Sequence, residues 1–140
     1  LAELLAADGY ELVFCDATPA ALSASIRCGV QASAEAGWWC FALADMPAIA
    51  PAVYTELVMA MTAIEAGIVL PTYNGVRGHP VCFSQGFRPQ LLNLQGDVGA
   101  RCIVQQYPQT VRECPVQCSG IHLDIDTPEQ LAVWLANLQR

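Results

Sequence analysis

The stretch Trp38-Trp39-Cys40-Phe41-Ala42-Leu43, followed by Ala44-Asp45-Met46-Pro47, is an unbroken apolar run that ends at a carboxylate and a proline. Bounded by Gly37 on one side and Pro47 on the other, it predicts a strand buried on both faces of a parallel sheet. Ligands of open α/β sheets gather at the carboxyl ends of the strands. Asp45 stands at that end, and Pro47 stiffens the exit because its own φ is fixed. Asp45 is therefore a candidate metal ligand. The competing reading is a helix N-cap or a turn aspartate.

Outward from this run, strand-like and helix-like segments alternate. Leu1 to Ala7 reads as the end of an amphipathic helix stopped by Asp8-Gly9. Tyr10 to Cys15 is rich in β-formers and predicts a strand. Asp16-Ala17-Thr18-Pro19 offers the start of a helix reaching about Ala36. Downstream, Pro51 to Ala66 predicts a helix and Ile68 to Pro71 a strand. Tyr73-Asn74-Gly75 is a strong turn signal, and Val76 to Phe83 reads as a loop leading into a strand. Phe87 to Leu94 and Ala100 to Gln106 predict short helices, and Val111 to Val116 and Ile121 to Ile125 the last strands. Thr127 is placed as N-cap and Pro128 at the first position of a terminal helix, Gln130 to Gln139. The expectation from this alternation is an α/β fold with a largely parallel sheet.

Composition narrows the function. Apolar residues make up 54% and charged residues 14%, too apolar for a disordered segment. The net charge is −7, every basic residue is Arg, and there is no Lys. Such a chain is a poor binder of nucleic acid, whose phosphates need a cationic surface. No apolar run is long enough to span a membrane without interruption, and no secretory signal is visible. The seven cysteines lie mostly in apolar stretches, and Cys114 and Cys118 lack zinc-knuckle spacing. Reduced, buried thiols in a cytoplasmic protein are the expectation.

Three further groups are candidates for chemistry. Asp124 and Asp126 flank Ile125 and would share one face of a strand, where two carboxylates repel unless a cation intervenes. That suits Mg²⁺, which takes carboxylate and phosphate oxygens; the other reading has one of them capping the terminal helix and the other solvated. Arg77-Gly78-His79-Pro80 joins a cation, a ring and two backbone specialists in one loop. Gly96-Asp97-Val98-Gly99-Ala100-Arg101 is a Gly loop opening a helix, where N–H groups and Arg101 would meet an anion; Asp97 is alternatively an N-cap. Ser23 and Ser25 lie in a helical region, where each also reads as an ordinary serine. No Gly-rich phosphate fingerprint or nucleophile elbow is present.

Taken together, five segments resemble the molybdenum cofactor cytidylyltransferase family, MobA-like nucleotidyltransferases with the nucleotide-diphospho-sugar transferase fold. They are Ser23 to Gly29, Leu43-Ala44-Asp45-Met46-Pro47, Gly75 to Val81, Gly96 to Arg101, and Leu123-Asp124-Ile125-Asp126-Thr127-Pro128-Glu129. They occur in the family's order over nearly the whole chain, and the resemblance implies a three-layer α/β/α fold with a mostly parallel, mixed sheet, residues 1–140 being the C-terminal part of a single nucleotidyltransferase domain. The resemblance implies catalytic roles for Asp45 and Asp126, with Asp45, Asp124 and Asp126 holding Mg²⁺. It implies a nucleotide near Ser23, Ser25 and Asp45. It places the acceptor near Arg77, His79, Gly96, Asp97 and Arg101. The implied partners are a nucleoside triphosphate, with CTP expected, a molybdopterin cofactor as acceptor, and a recipient molybdoenzyme. The family's opening strand and Gly-rich Arg/Lys loop have no counterpart in the 140 residues. The expectation is thus that residues precede Leu1 and that this piece alone is inactive. The alternatives are transfer of GMP or use of another small acceptor, and a non-catalytic module binding a pterin or a partner protein.

Overall fold

The computed structural model describes residues 2–15, 21–97 and 99–138. In chain order the elements are α1 (Ala2–Ala7), α2 (Leu22–Ala32), β1 (Trp38–Phe41), α3 (Pro51–Thr62), β2 (Ile68–Tyr73), β3 (Val76–Arg77), β4 (Val81–Ser84), α4 (Arg88–Leu92), α5 (Arg101–Gln106), β5 (Val111–Pro115) and α6 (Pro128–Leu138). They fall into two compact units, residues 1–37 with 85–108 and residues 38–84 with 109–140.

The second unit holds a mixed five-stranded sheet in the order β1-β4-β2-β3, with β5 pairing β2. Direction and pairing diverge here. β1, β2 and β5 run the same way, but the pairings β1–β4, β2–β4 and β2–β3 are antiparallel and only β2–β5 is parallel. The α/β class and the mixed sheet are as expected; predominantly parallel pairing is not. The cause is local. Asn74 and Gly75 both adopt positive φ, 51° and 77°, and close a two-residue hairpin from β2 into β3. The chain then returns through a cis His79–Pro80 bond into β4, which lies antiparallel between β1 and β2.

β2 is the buried centre, with Ile68 to Thr72 all inaccessible. Pro71 is tolerated there because β4 pairing ends at Val69 and β3 pairing starts at Thr72. The Pro71 carbonyl accepts the Gly78 N–H at 2.9 Å. α3 packs Val53 and Leu57 against Val69 and Cys82, with Met46, Ile49, Val116 and Ile121 completing that core. β1 is an edge strand among the described residues, not one buried on both faces. Its one described partner is β4, and with Trp39 buried and Cys40 exposed the two faces of β1 differ in burial.

In the first unit, α2 packs on α4, with Ile26, Val30 and Leu91 buried. Phe87 meets Tyr107 edge to face at 5.4 Å. Cys15 and Cys28 are paired as a disulfide, their Cα atoms 6.2 Å apart. That corrects the expectation of reduced thiols for this pair. Cys40 and Cys102 are free but exposed, and Cys82 alone of the free thiols is fully buried.

Two expected strands are absent. Tyr10 to Cys15 has no ladder partner among the described residues. Ile121 to Ile125 is a 3-10 turn, Ser119–His122, followed by irregular chain. The helix start at residues 16–20 lies outside the described residues. The terminal helix begins as expected. The Thr127 hydroxyl accepts the Gln130 N–H at 3.2 Å, and the Gln130 side-chain oxygen accepts the Thr127 N–H at 3.0 Å and the Asp126 N–H at 2.7 Å. This is a reciprocal capping box.

Candidate active site

Three loops of the second unit converge where β1, β2 and β5 end. The first leaves β1 and carries Asp45 through Ala48. The second joins β3 to β4 and carries Gly78 and His79. The third runs from Ser119 to Thr127. Two glycines set their approach. A Cβ on Gly120 would lie 2.0 Å from the Ala48 carbonyl oxygen, and one on Gly78 would lie 2.5 Å from that of Ile121. Only a residue without Cβ permits either contact. The His79 N–H donates to the Ile121 carbonyl at 3.1 Å, and the Ile125 N–H to the Asp45 carbonyl at 2.8 Å.

These bonds tie together the chain segments that carry the predicted residues Asp45, His79, Asp124 and Asp126. The carboxylates of Asp45, Asp124 and Asp126 belong to exposed residues. Among the described residues, no three His, Cys, Asp or Glu side chains gather tightly enough to hold an ion by themselves. The strand geometry expected to align Asp124 with Asp126 is replaced by irregular chain. His79 is half-buried. Burial pushes its imidazole below the ordinary value, against opposing contributions from the Phe41 backbone and the Asp45 carboxylate. Its Nδ1 is buried without a hydrogen-bond partner.

Arg77 is engaged elsewhere. Its guanidinium Nε donates to Glu113 at 2.7 Å, an exposed pair joining β3 to β5. The remaining predicted residues lie in the first unit and form a group of their own. The buried Ser23 hydroxyl donates to the Gly96 carbonyl, and Arg27 donates to the Leu94 carbonyl. The Asp97 carboxylate accepts the Leu22 N–H at 3.3 Å, so Asp97 caps the start of α2 from a distant loop. Ser23 is thereby committed to structure, whereas Ser25 and Arg101 are exposed. Val98 lies outside the described residues.

The sequence reading missed a cleft of about 700 Å³ beside the three loops, lined by Ala48, Tyr73, Cys118, Gly120, His122 and Trp134 among others. It opens at the carboxyl ends of β2 and β5, where the fold class collects ligands. Tyr73 and His122 face each other with ring centroids 6.3 Å apart. The one local signal was His122, two residues beyond Gly120. Among the described residues, no helix is long and apolar enough to cross a membrane.

The fold is that of several solved structures. The chain is similar to the crystal structure of a Mycobacterium tuberculosis Rv0371c homolog from Mycobacterium sp. strain JC1, at 26% identity and a TM-score of 0.79, covering 99% of this chain and 71% of that one. It is similar to Rv0371c from M. tuberculosis H37Rv at 28% identity and a TM-score of 0.79, covering 97% and 70%. A third similar structure is Rv0371c in complex with manganese, at 28% identity and a TM-score of 0.75, covering 96% and 73%. No curated protein sequence matches the chain. Residues 1–111 match the MobA-like NTP transferase domain. With that match over most of its length, and a mixed open sheet carrying Asp45 at the end of β1, the chain belongs to the MobA-like NTP transferase family and is a nucleotidyltransferase.

Proposed function

We propose that the protein carrying this chain transfers CMP from CTP to a molybdopterin-type molybdenum cofactor and releases pyrophosphate. The observation that supports this reading is the Asp45–Ile125 backbone bond, which ties the segment leaving β1 to the one that carries Asp124 and Asp126. Asp45 and Asp126, with Asp124 next to them, would hold Mg²⁺. The donor set fits a hard divalent ion, because Mg²⁺ is commonly held by one or two carboxylates and completed by substrate phosphates. That Rv0371c, a protein of the same fold, forms a complex with manganese is in keeping with a divalent metal. When bound, the ion neutralises charge on the phosphate oxygens.

The chain's own residues then position the reactants. A terminal phosphate oxygen of the acceptor attacks the α-phosphorus in line, and the pyrophosphate leaves. The nucleophile is already ionised at neutral pH, so orientation and electrostatics supply the rate without a general base. His79, on the loop before β4, would position a substrate group through its segment, and burial disfavours the charged form of its imidazole. The test is pyrophosphate release by the full natural protein with Mg²⁺, a molybdopterin acceptor, and CTP or GTP. Preference for CTP supports the reading, and preference for GTP moves it to guanylyl transfer. No release with either nucleotide sinks both and favours a binding module.

A further inference from the structure

We infer that Cys40 and Cys82 form an oxidation-sensitive cross-strand dithiol, a modification site at which a hydroperoxide closes a disulfide between β1 and β4. The inference is independent of the transfer reaction.

The register carries it. Cys40 and Cys82 are directly opposed in the antiparallel β1–β4 pair. Ser84, two residues along β4, donates its N–H to the Gly67 carbonyl at 3.0 Å, away from β1. Backbone direction alternates along a strand, so Ser84 and Cys82 both turn their polar groups away from β1. Cys40–Cys82 is therefore a non-hydrogen-bonded pair. Opposed Cα atoms at such pairs lie about 4.5 Å apart, within the range of roughly 4.4–6.8 Å that a disulfide spans. At a hydrogen-bonded pair the side chains would stand farther apart.

The two thiols are free and stand opposite each other across the ladder. They also differ in the way a two-step oxidation needs. Cys40 is exposed, and the Cys82 S–H donated to its sulfur pulls its thiol below the ordinary value against a smaller opposing effect of burial. Cys82 is buried, and its thiol is pushed up by the bond to Cys40 and by burial. Tyr54 of α3 stands beside both, and Cys114 of β5 beside Cys82.

The chemistry balances as follows. The Cys40 thiolate attacks one oxygen of hydrogen peroxide, the O–O bond breaks, and the departing hydroxide takes up a proton to become water. Cys40 is left as a sulfenic acid. The Cys82 sulfur then attacks the Cys40 sulfur, the S–O bond breaks, and the leaving hydroxide takes the Cys82 proton as a second water. Two thiols lose two electrons in total, and the peroxide gains them.

The test is thiol counting by alkylation under denaturing conditions, before and after brief treatment of the folded protein with hydrogen peroxide. The five free cysteines, Cys40, Cys82, Cys102, Cys114 and Cys118, are the starting count. The expected result is a loss of two thiols, mapped by peptide mass to a Cys40–Cys82 cross-link and restored by dithiothreitol. Cys40→Ser should keep all four of its remaining free thiols. Cys82→Ala, its fold checked by circular dichroism, should stop at a Cys40 sulfenic acid that dimedone traps. Three results would overturn the inference: a cross-link between other cysteines, overoxidation of Cys40 with Cys82 still free, or both thiols intact under treatment that oxidises free cysteine in solution.

Discussion

The Asp45 carbonyl accepts the Ile125 N–H at 2.8 Å, so the main chain, not the side chain, of the first candidate ligand fixes the segment that carries the other two. Placement and chemistry are thus separable at this residue. Asp45→Asn keeps the backbone bond and removes only the charge. Because Asp45 is exposed, stability should change by no more than about 0.5 kcal/mol. Metal-dependent pyrophosphate release should fall on the order of 10²-fold or more. Thermal unfolding and a Mg²⁺ or Mn²⁺ titration of turnover check the two halves. Undiminished turnover sinks the metal role.

Gly120 makes the converse case, in which placement is everything. Its would-be Cβ lies 2.0 Å from a backbone oxygen, and a backbone atom does not yield as a side-chain tip does. Gly120→Ala should cost about 2 kcal/mol or more and displace the loop bearing Asp124 and Asp126. Gly29 within α2 is the control, since nothing lies within 4 Å of its Cβ position. Gly29→Ala should stabilise by up to about 1 kcal/mol. Urea unfolding of the two variants tests both signs, and equal effects would contradict the packing argument.

What could be read in advance follows from how local each signal is. Asn74-Gly75 specifies its own hairpin, and Thr127 with Gln130 specifies its own helix start, so both were legible. The apolar run at Trp38 located a strand and its Asp45 exit but not the strand's neighbours. A period of two says which face a residue takes and nothing about its partner, so neither the edge position of β1 among the described residues nor the intervening β4 could be read from it. Ile121 to Ile125 alternates like a strand, but the close approach of Gly120 to Ala48 holds its start in a 3-10 turn. Ser23 and Asp97 were legible as polar residues near a helix start. That they serve the first unit's hydrogen bonds depends on a separation of 73 to 75 residues, which no local pattern records.

The capping box at Thr127 should have a local consequence only. No side chain of α6 is buried among its described residues, so its ordering draws little on tertiary packing. Thr127→Ala removes the hydroxyl that accepts the Gln130 N–H and should cost α6 about 1 kcal/mol. The loss should appear as faster amide hydrogen exchange in residues 128–134, with the global unfolding midpoint nearly unchanged. A large drop in global stability would mean that α6 is integral to the core.

The Cys40 thiol gives a pH dependence whose sign follows from its partner. Hydrogen bonding from Cys82 favours the thiolate, so alkylation of Cys40 in the folded protein should rise with pH through a midpoint below that of an ordinary thiol. Linkage runs the same way. A thiol whose folded value is depressed contributes stability present above the unfolded value and lost as pH falls through the folded one. The neighbours that bear on this titration are Cys82 across the ladder and Tyr54 on α3. Cys82→Ala removes the donor and should move the midpoint upward, slowing alkylation at neutral pH several-fold, whereas Cys114→Ala should leave it in place. A midpoint unmoved by Cys82→Ala would show that the paired sulfurs do not share a proton in the folded chain.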